Sequence, residues 1–321
     1  AMSLQLDRAH SRLYVGSADS TIRIWDLNRG TQISEANGTG LNASFAVSQD
    51  GRWMLTGSSS AGVKAILWKL DHEGRAAPRR VLELPRDDGE EAITAFAISP
   101  DAKVLFTGDR VGIGVLWDKS TGQPIGPPIE SVRTFRINAA AFSRDGTSLM
   151  LAADNAALTI VDLATRETTA TYDHIGYVTK LSVSAAGNHA MTVSEVTTDQ
   201  DAKAIATLWD LDVGKGRILD RFVSTVAASG GKRRRARITS AGFDETGKLA
   251  VVSRGGFGTQ PPQLRLWRLD AFTDAGEFSD PAELNVETLA ATRSTVSGQA
   301  FMLPAVLGTA EAVLPLDAQT M

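Results

Sequence analysis

One stretch of this chain occurs six times, and that repetition constrains the fold more than anything else in it. Residues 13–27 read as an apolar strand, a turn through Gly16, Ser17 and Asp19, and a second strand ending in Trp25 and Asp26. The pattern recurs at 53–70, 104–118, 149–163, 190–211 and 249–269. Its anchors are Trp25, Trp68, Trp117, Val161, Trp209 and Trp267, spaced by 43, 49, 44, 48 and 58 residues. Between copies an alternating strand ends in a turn at 45–51, 96–102, 142–146, 181–187 and 243–247. A period in this range is the mark of one supersecondary unit repeated in an array.

Each unit reads as four short strands with period-2 alternation, here lettered a to d from the inside outward, separated by Asp, Gly and Ser turns. The d strands are weaker in pattern: 31–36, 79–84, 123–129, 167–172, 217–222 and 284–290. Such a sheet cannot bury both apolar faces alone, and stacking copies radially solves the problem. The expected fold class is all-β: a β-propeller of four-stranded antiparallel blades at about 3–36, 43–84, 93–129, 137–172, 178–222, 237–290 and 295–317. Seven blades are expected, the last incomplete, with strands at 296–303, 306–308 and 312–317; Pro315 demotes the last of these to an irregular edge. Six blades plus a tail, or one half of a double propeller, are the alternatives. Ala1-Met2 reads as a cloning remnant and both ends fall inside a unit, so an excerpt of a longer protein is expected.

These motifs resemble the WD40 repeat over nearly the whole chain. In that family a blade is typically locked by a Ser or Thr, an Asp, a Trp and the His of a Gly-His pair. Ser17, Asp19 and Trp25 match three of these positions in the first copy, and Trp68, Trp117, Trp209 and Trp267 match the Trp in others. Elsewhere the set decays: Val161 and Leu316 stand at Trp positions, and only Asp173-His174 is similar to Gly-His. More apolar packing is expected where the polar set is lost. The resemblance implies a scaffold or sensor without chemistry of its own. In bacteria such propellers often form part of larger chains with a switch, kinase or caspase-like module. Arg-over-Lys and Ala-rich usage also suggests a bacterial source.

Composition narrows function further. There is no Cys, which excludes disulfides, thiolate metal sites and Cys nucleophiles. A net charge of −4 gives no global argument for nucleic acid or membrane. No apolar run approaches the ~20 residues that span a bilayer, and no leader pattern opens the chain, so a cytoplasmic setting is expected. Gly230-Gly231-Lys232 lacks the remaining residues of a phosphate-binding loop, with Val226 and Arg233 at required positions. No histidine pair has metal-binding helical spacing; His10, His72, His174 and His189 read as turn residues. Asp50, Asp101 and Asp145 read as turn residues whose carboxylates accept backbone N–H two residues on. The Trp set shares one register and reads as packing between blades. No catalytic residue, cofactor or metal is expected.

In this topology the b–c and d–a loops share one face. Three long loops map to it at blades 5 and 6: 195–203, 223–237 and 254–263. The middle one holds Lys232, Arg233, Arg234, Arg235 and Arg237, five cations in six residues, with Arg254 nearby. Arg suits bidentate recognition of carboxylate or phosphate. Asp87, Asp88, Glu90 and Glu91 give the same face an acidic region at blades 2 and 3. On the opposite face the 270–283 loop carries Phe272 and Phe278. A protein partner, or another domain of the same longer chain, is expected at blades 5 and 6. A small-molecule or hydrolytic site in a central channel, and nucleic-acid or phosphate binding through 232–237, are the alternatives. The second lacks interleaved aromatics and overall basic charge.

Overall fold

The computed structural model describes residues 3–7, 9–37, 44–57, 64–82, 92–130, 132, 134–184, 186–197, 201–212, 215–225, 238–243, 249–254, 263–269, 282–285, 300–301 and 314–315. The chain divides into two compact units, Ala1–Thr179 and Lys180–Met321.

The first unit holds four sheets, each an antiparallel meander. Sheet 1 is β1 (Ser3–Asp7), β2 (Arg12–Gly16), β3 (Thr21–Asp26) and β4 (Thr31–Asn37). Sheet 2 is β5 (Ser44–Val47), β6 (Trp53–Gly57), β7 (Ala65–Leu70) and β8 (Ala76–Leu82). Sheet 3 is β9 (Ile93–Ile98), β10 (Val104–Asp109) and β11 (Gly114–Asp118). Sheet 4 is β12 (Ile137–Phe142), β13 (Ser148–Ala153), β14 (Ala157–Asp162) and β15 (Thr168–Asp173).

In the second unit, sheet 5 is β16 (Tyr177–Val183, which begins just before the boundary), β17 (His189–Thr197), β18 (Asp201–Asp210) and β19 (Lys215–Thr225). Sheet 6 is β20 (Ile238–Phe243), β21 (Leu249–Arg254), β22 (Gln263–Arg268) and β23 (Ala282–Asn285). Then come β24 (Ala300–Phe301) and β25 (Leu314–Pro315), paired through Phe301 and Leu314.

Alternation decides how many faces each sheet buries. In β2 it is strict: Arg12, Tyr14 and Gly16 are buried and Leu13 and Val15 only half-buried. The buried face meets sheet 2 through Tyr14, Ile22, Ile24, Met54, Trp68 and Leu70. In β10 every residue after the first is buried, because sheets 2 and 4 pack against its two sides; β13 is buried to the same degree. Separate apolar clusters fill the spaces between sheets 2 and 3, 3 and 4, and 5 and 6. The glycines of two Thr-Gly pairs permit this closeness. A Cβ on Gly57 would collide with the Phe96 ring, and one on Gly108 would meet Ile137 at 3.0 Å.

The c–d pairing slips by one residue at or near the Trp position in four sheets: at Ile24/Trp25, Leu67/Trp68, Ile160/Val161 and Ala206/Thr207. Each slip is a bulge in the outer strand, which raises local twist.

Several strand expectations are corrected. The d strand expected at 123–129 reduces to isolated bridges, Gly114 with Ile129 and Trp117 with Pro124. Pro124, Pro127 and Pro128 have no N–H to give a ladder. The d strand expected at 284–290 starts two residues earlier, as β23, and 286–290 lie outside the described residues. For the worn seventh unit the described residues show two strands of two residues, and 306–308 lies outside them.

Candidate functional site

The Trp register has a chemical purpose that is visible only in the paired sheets. In sheets 2, 3 and 5 the indole Nε1 of Trp68, Trp117 and Trp209 donates to Oγ1 of Thr56, Thr107 and Thr192, at 2.9, 2.9 and 2.8 Å. Pairing puts Met54 opposite Trp68, so Thr56 is the diagonal neighbour on the same face. These indoles are buried, and a buried Trp N–H needs an acceptor.

Where the Trp is lost, so is the hydroxyl: in sheet 4 Val161 faces Leu149, and Leu151 takes the Thr place. In sheet 1 that place is Val15. Ser17 there accepts from Arg23 Nη1 at 3.1 Å, and Asp19 takes Arg23 Nη2 at 2.7 Å and Thr21 Oγ1 at 2.6 Å. Ser17 and Asp19 thus brace the b–c turn through Arg23, a different role from the Trp lock their positions implied. Trp25 is partly buried, and the Trp267 side chain lies outside the described residues.

The a–b turns repeat a second device. Ser48, Ser99 and Ser143 donate to Asp50, Asp101 and Asp145 at 2.5, 2.7 and 2.6 Å. The three hydroxyls accept from the backbone N–H of Trp53, Val104 and Ser148. The carboxylates accept from N–H two residues on, at Arg52, Lys103 and Thr147. The Ser hydroxyl is the main cause that holds the Asp101 and Asp145 carboxyls below their ordinary range. In a c–d turn, the Ser120 hydroxyl and then the Thr121 backbone N–H bring Asp118 down to about 2. Carboxylates so held are permanently ionised near neutral pH, the opposite of a general base poised near the working pH.

Polar stitches one repeat apart join neighbouring sheets. Gln5 Oε1 accepts from Val47 N at 3.1 Å, Thr94 Oγ1 donates to Ile137 O, and Asn138 Nδ2 donates to Val178 O at 2.9 Å. Arg12 is 4% exposed and caps carbonyls of sheet 2: Nη2 to His72 O at 2.6 Å and Asp71 O at 3.3 Å, Nη1 to Gly51 O at 3.4 Å. Arg80 donates to Ser120 O at 2.9 Å and to Thr121 O, and Arg166 to Ile125 O at 2.8 Å. No pattern in the sequence singled these residues out, because a lone Arg or Asn in a strand carries no sign of its distant carbonyl.

The histidines sit in local bonds. His10 Nδ1 is 2.9 Å from Asp7 Oδ2, and His174 Nδ1 is 2.8 Å from Tyr172 O. Burial pushes the His174 pKa down, against the Tyr172 carbonyl and Asp173, which raise it. Among the described residues no three His, Cys, Asp or Glu side chains form a group that could hold a metal ion. Among the described residues no helix is long and apolar enough to cross a membrane.

The partner residues expected from sequence fall mostly outside the described residues: Lys232, Arg233, Arg234, Arg235 and Arg237, the acidic Asp87, Asp88, Glu90 and Glu91, and Phe272 and Phe278. Arg254 is corrected from loop to strand end, paired with Gln263. The long loop expected at 195–203 is also corrected: β17 continues to Thr197 and β18 starts at Asp201, with Thr197 opposite Ala202. Likewise Val223–Thr225, expected as loop, extends β19, with Asp201 opposite Thr225. Sheet 5 is therefore longer at its b–c end than sheet 1: strands of 9, 10 and 11 residues against 5 to 7.

Repeated antiparallel meanders, four-stranded in sheets 1, 2, 4, 5 and 6 and packed face on face within each unit, define a β-propeller. The sequence comparison adds the family of the repeat: residues 2–26 match the WD40 model, "WD domain, G-beta repeat". Among solved structures the chain is similar to the β-propeller domain of Myceliophteria thermophila Cps50 (Swd1), with a TM-score of 0.61 at 19% identity. The match covers 88% of this chain and 86% of that one. No curated protein matches the chain in sequence. Residues 2–26 thus match one WD40 repeat, and the chain has the fold of a β-propeller. As many as 1635 solved chains share that likeness, so the fold alone names no partner.

Proposed function

We propose that this chain is a non-catalytic protein-interaction module whose partner docks on the b–c and d–a side of sheet 5 and the segments that follow it. WD40 propellers generally serve as interaction platforms, and the turn carboxylates here are committed to backbone bonds. The observation that carries the location is the extension of sheet 5. Three paired strands, β17 to β19, run on together past the length usual in this chain. At about 3.4 Å per residue, three or four extra residues project roughly 10–14 Å. A paired, twisted ribbon is a stiffer support for contact residues than an open loop. β19 leads directly into the segment with Lys232, Arg233, Arg234, Arg235 and Arg237, whose guanidinium groups suit an acidic partner surface.

The test is affinity capture with the intact chain and with an Arg233→Glu/Arg234→Glu/Arg235→Glu variant of equal thermal stability. Loss of a specifically captured protein in the variant is expected. Equal capture would remove 232–237 from the contact, and no specific capture by either form would overturn the interaction reading.

A further inference from the structure

A second surface, resting on different residues, lies in the first unit. Its b–c turns and d–a connections form one continuous strip, joined by backbone bonds. Thr134 N donates to Val111 O at 2.7 Å, Asp154 N to Arg136 O at 3.0 Å, and His174 N to Ala156 O at 2.7 Å. Asn138 Nδ2 closes the strip by donating to Asp154 Oδ1 at 2.7 Å and Val178 O at 2.9 Å.

On this framework stand Phe135, Ile175 and Tyr177, exposed by 43%, 60% and 59%. Among the described residues only Val81 is a further large apolar side chain so exposed. The strip is built rather than loose. Gly112, at φ +84°, lies where a Cβ would strike the Val132 and Phe135 carbonyls, so the b–c turn is pressed against the segment carrying Phe135.

We infer that Phe135, Ile175 and Tyr177, with Arg110 and Arg136, bind a short segment of another protein that combines an apolar anchor with an acidic residue. Two arguments select this occupant. The first is area: with ~200 Å² per open side chain, the three expose roughly 300 Å². A second copy of this chain would need about 800 Å² per partner for a stable interface. A patch of this size suits one or two apolar side chains and is within the range of functional patches on monomers. The second is charge. Arg110 and Arg136 are both exposed. Arg136 follows Phe135 in the chain, and Arg110 precedes Val111, whose carbonyl accepts from Thr134 N, while the Asp154 carboxylate of the same strip accepts from Asn138. Asp173 stands beside His174 and Ile175 at the other end. The acidic group of the partner therefore lies over the Phe135 end.

The experiment is selection of a random dodecapeptide phage library on the intact chain. A selected peptide is then resynthesised with a fluorophore for anisotropy against wild type, Ile175→Ser/Tyr177→Ser and Arg136→Glu. Enrichment of peptides joining aromatic or aliphatic residues to Asp or Glu is expected. Affinity should fall at least tenfold in the double variant and several-fold in Arg136→Glu, with unchanged melting temperatures. Enrichment of basic or uncharged peptides, equal binding by the variants, or no enrichment would overturn the inference. So would a wild-type dimer in sedimentation that the double variant loses, since a second copy would then be the occupant.

Discussion

Thr107→Val should be costly in the wild-type background and nearly free in Trp117→Phe. Thr107 and Trp117 are each 1% exposed, and the indole donates to the hydroxyl at 2.9 Å. Valine keeps the shape of threonine but removes the acceptor, leaving a buried N–H without a partner, a loss of about 1–3 kcal/mol. For a chain of this length that corresponds to a fall of about 2–5 °C in melting temperature. Trp117→Phe alone loses burial, leaves a void and orphans the hydroxyl, with a cost of about 2 kcal/mol. In the double variant no unpaired donor remains, so the sum of the single costs exceeds the double by a coupling of roughly 1–2 kcal/mol. Sheet 4 already holds the apolar version: Leu151 and Val161 are fully buried in the same two places. Melting followed by far-UV circular dichroism on the four proteins measures the cycle. If Thr107→Val costs the same with and without the indole, the bond is incidental and the reading of the lock is refuted.

Gly57→Val should destabilise by about 1–3 kcal/mol, since its side chain would enter the space of the Phe96 ring. Phe96→Ala in the same protein should recover part of that loss, and thermal melts that show no recovery would count against this contact. The turn carboxylates make acid stability the other test. Asp101, Asp118 and Asp145 have lowered folded pKa values. Their contribution is therefore complete above the unfolded value near 4 and is lost as pH falls through the lowered folded values, about 2 for Asp118. Asp118→Asn should flatten the fall in melting temperature between pH 4.5 and 2.5, and an unchanged acid limb would contradict the assignment.

Much of this fold is legible in the sequence. The repeat of Trp25, Trp68, Trp117, Val161, Trp209 and Trp267 implied antiparallel four-stranded sheets, because alternation and turn chemistry are properties of neighbouring residues. Asp50, Asp101 and Asp145 were legible as turn residues for the same reason: the N–H donors to their carboxylates lie two residues away. The outer strand expected at 123–129 in sheet 3 is the exception, since Pro124, Pro127 and Pro128 lack the N–H a ladder needs and this outweighs the weak strand pattern around them.

What the tertiary structure alone decided involves partners far apart in the chain. The Trp lock depends on register, which makes Thr56 rather than Met54 the acceptor, and moves Ser17 out of that role. The carbonyls capped by Arg12, Arg80 and Arg166 lie about a repeat away, and a side chain's reach across two sheets leaves no local trace. The length of sheet 5 follows from pairing that continues through residues a turn-based reading assigns to loop. The exposure of Phe135, Ile175 and Tyr177 follows from how four connections share one strip. An apolar residue in a connection can tuck or stand out, and only packing of its neighbours settles which.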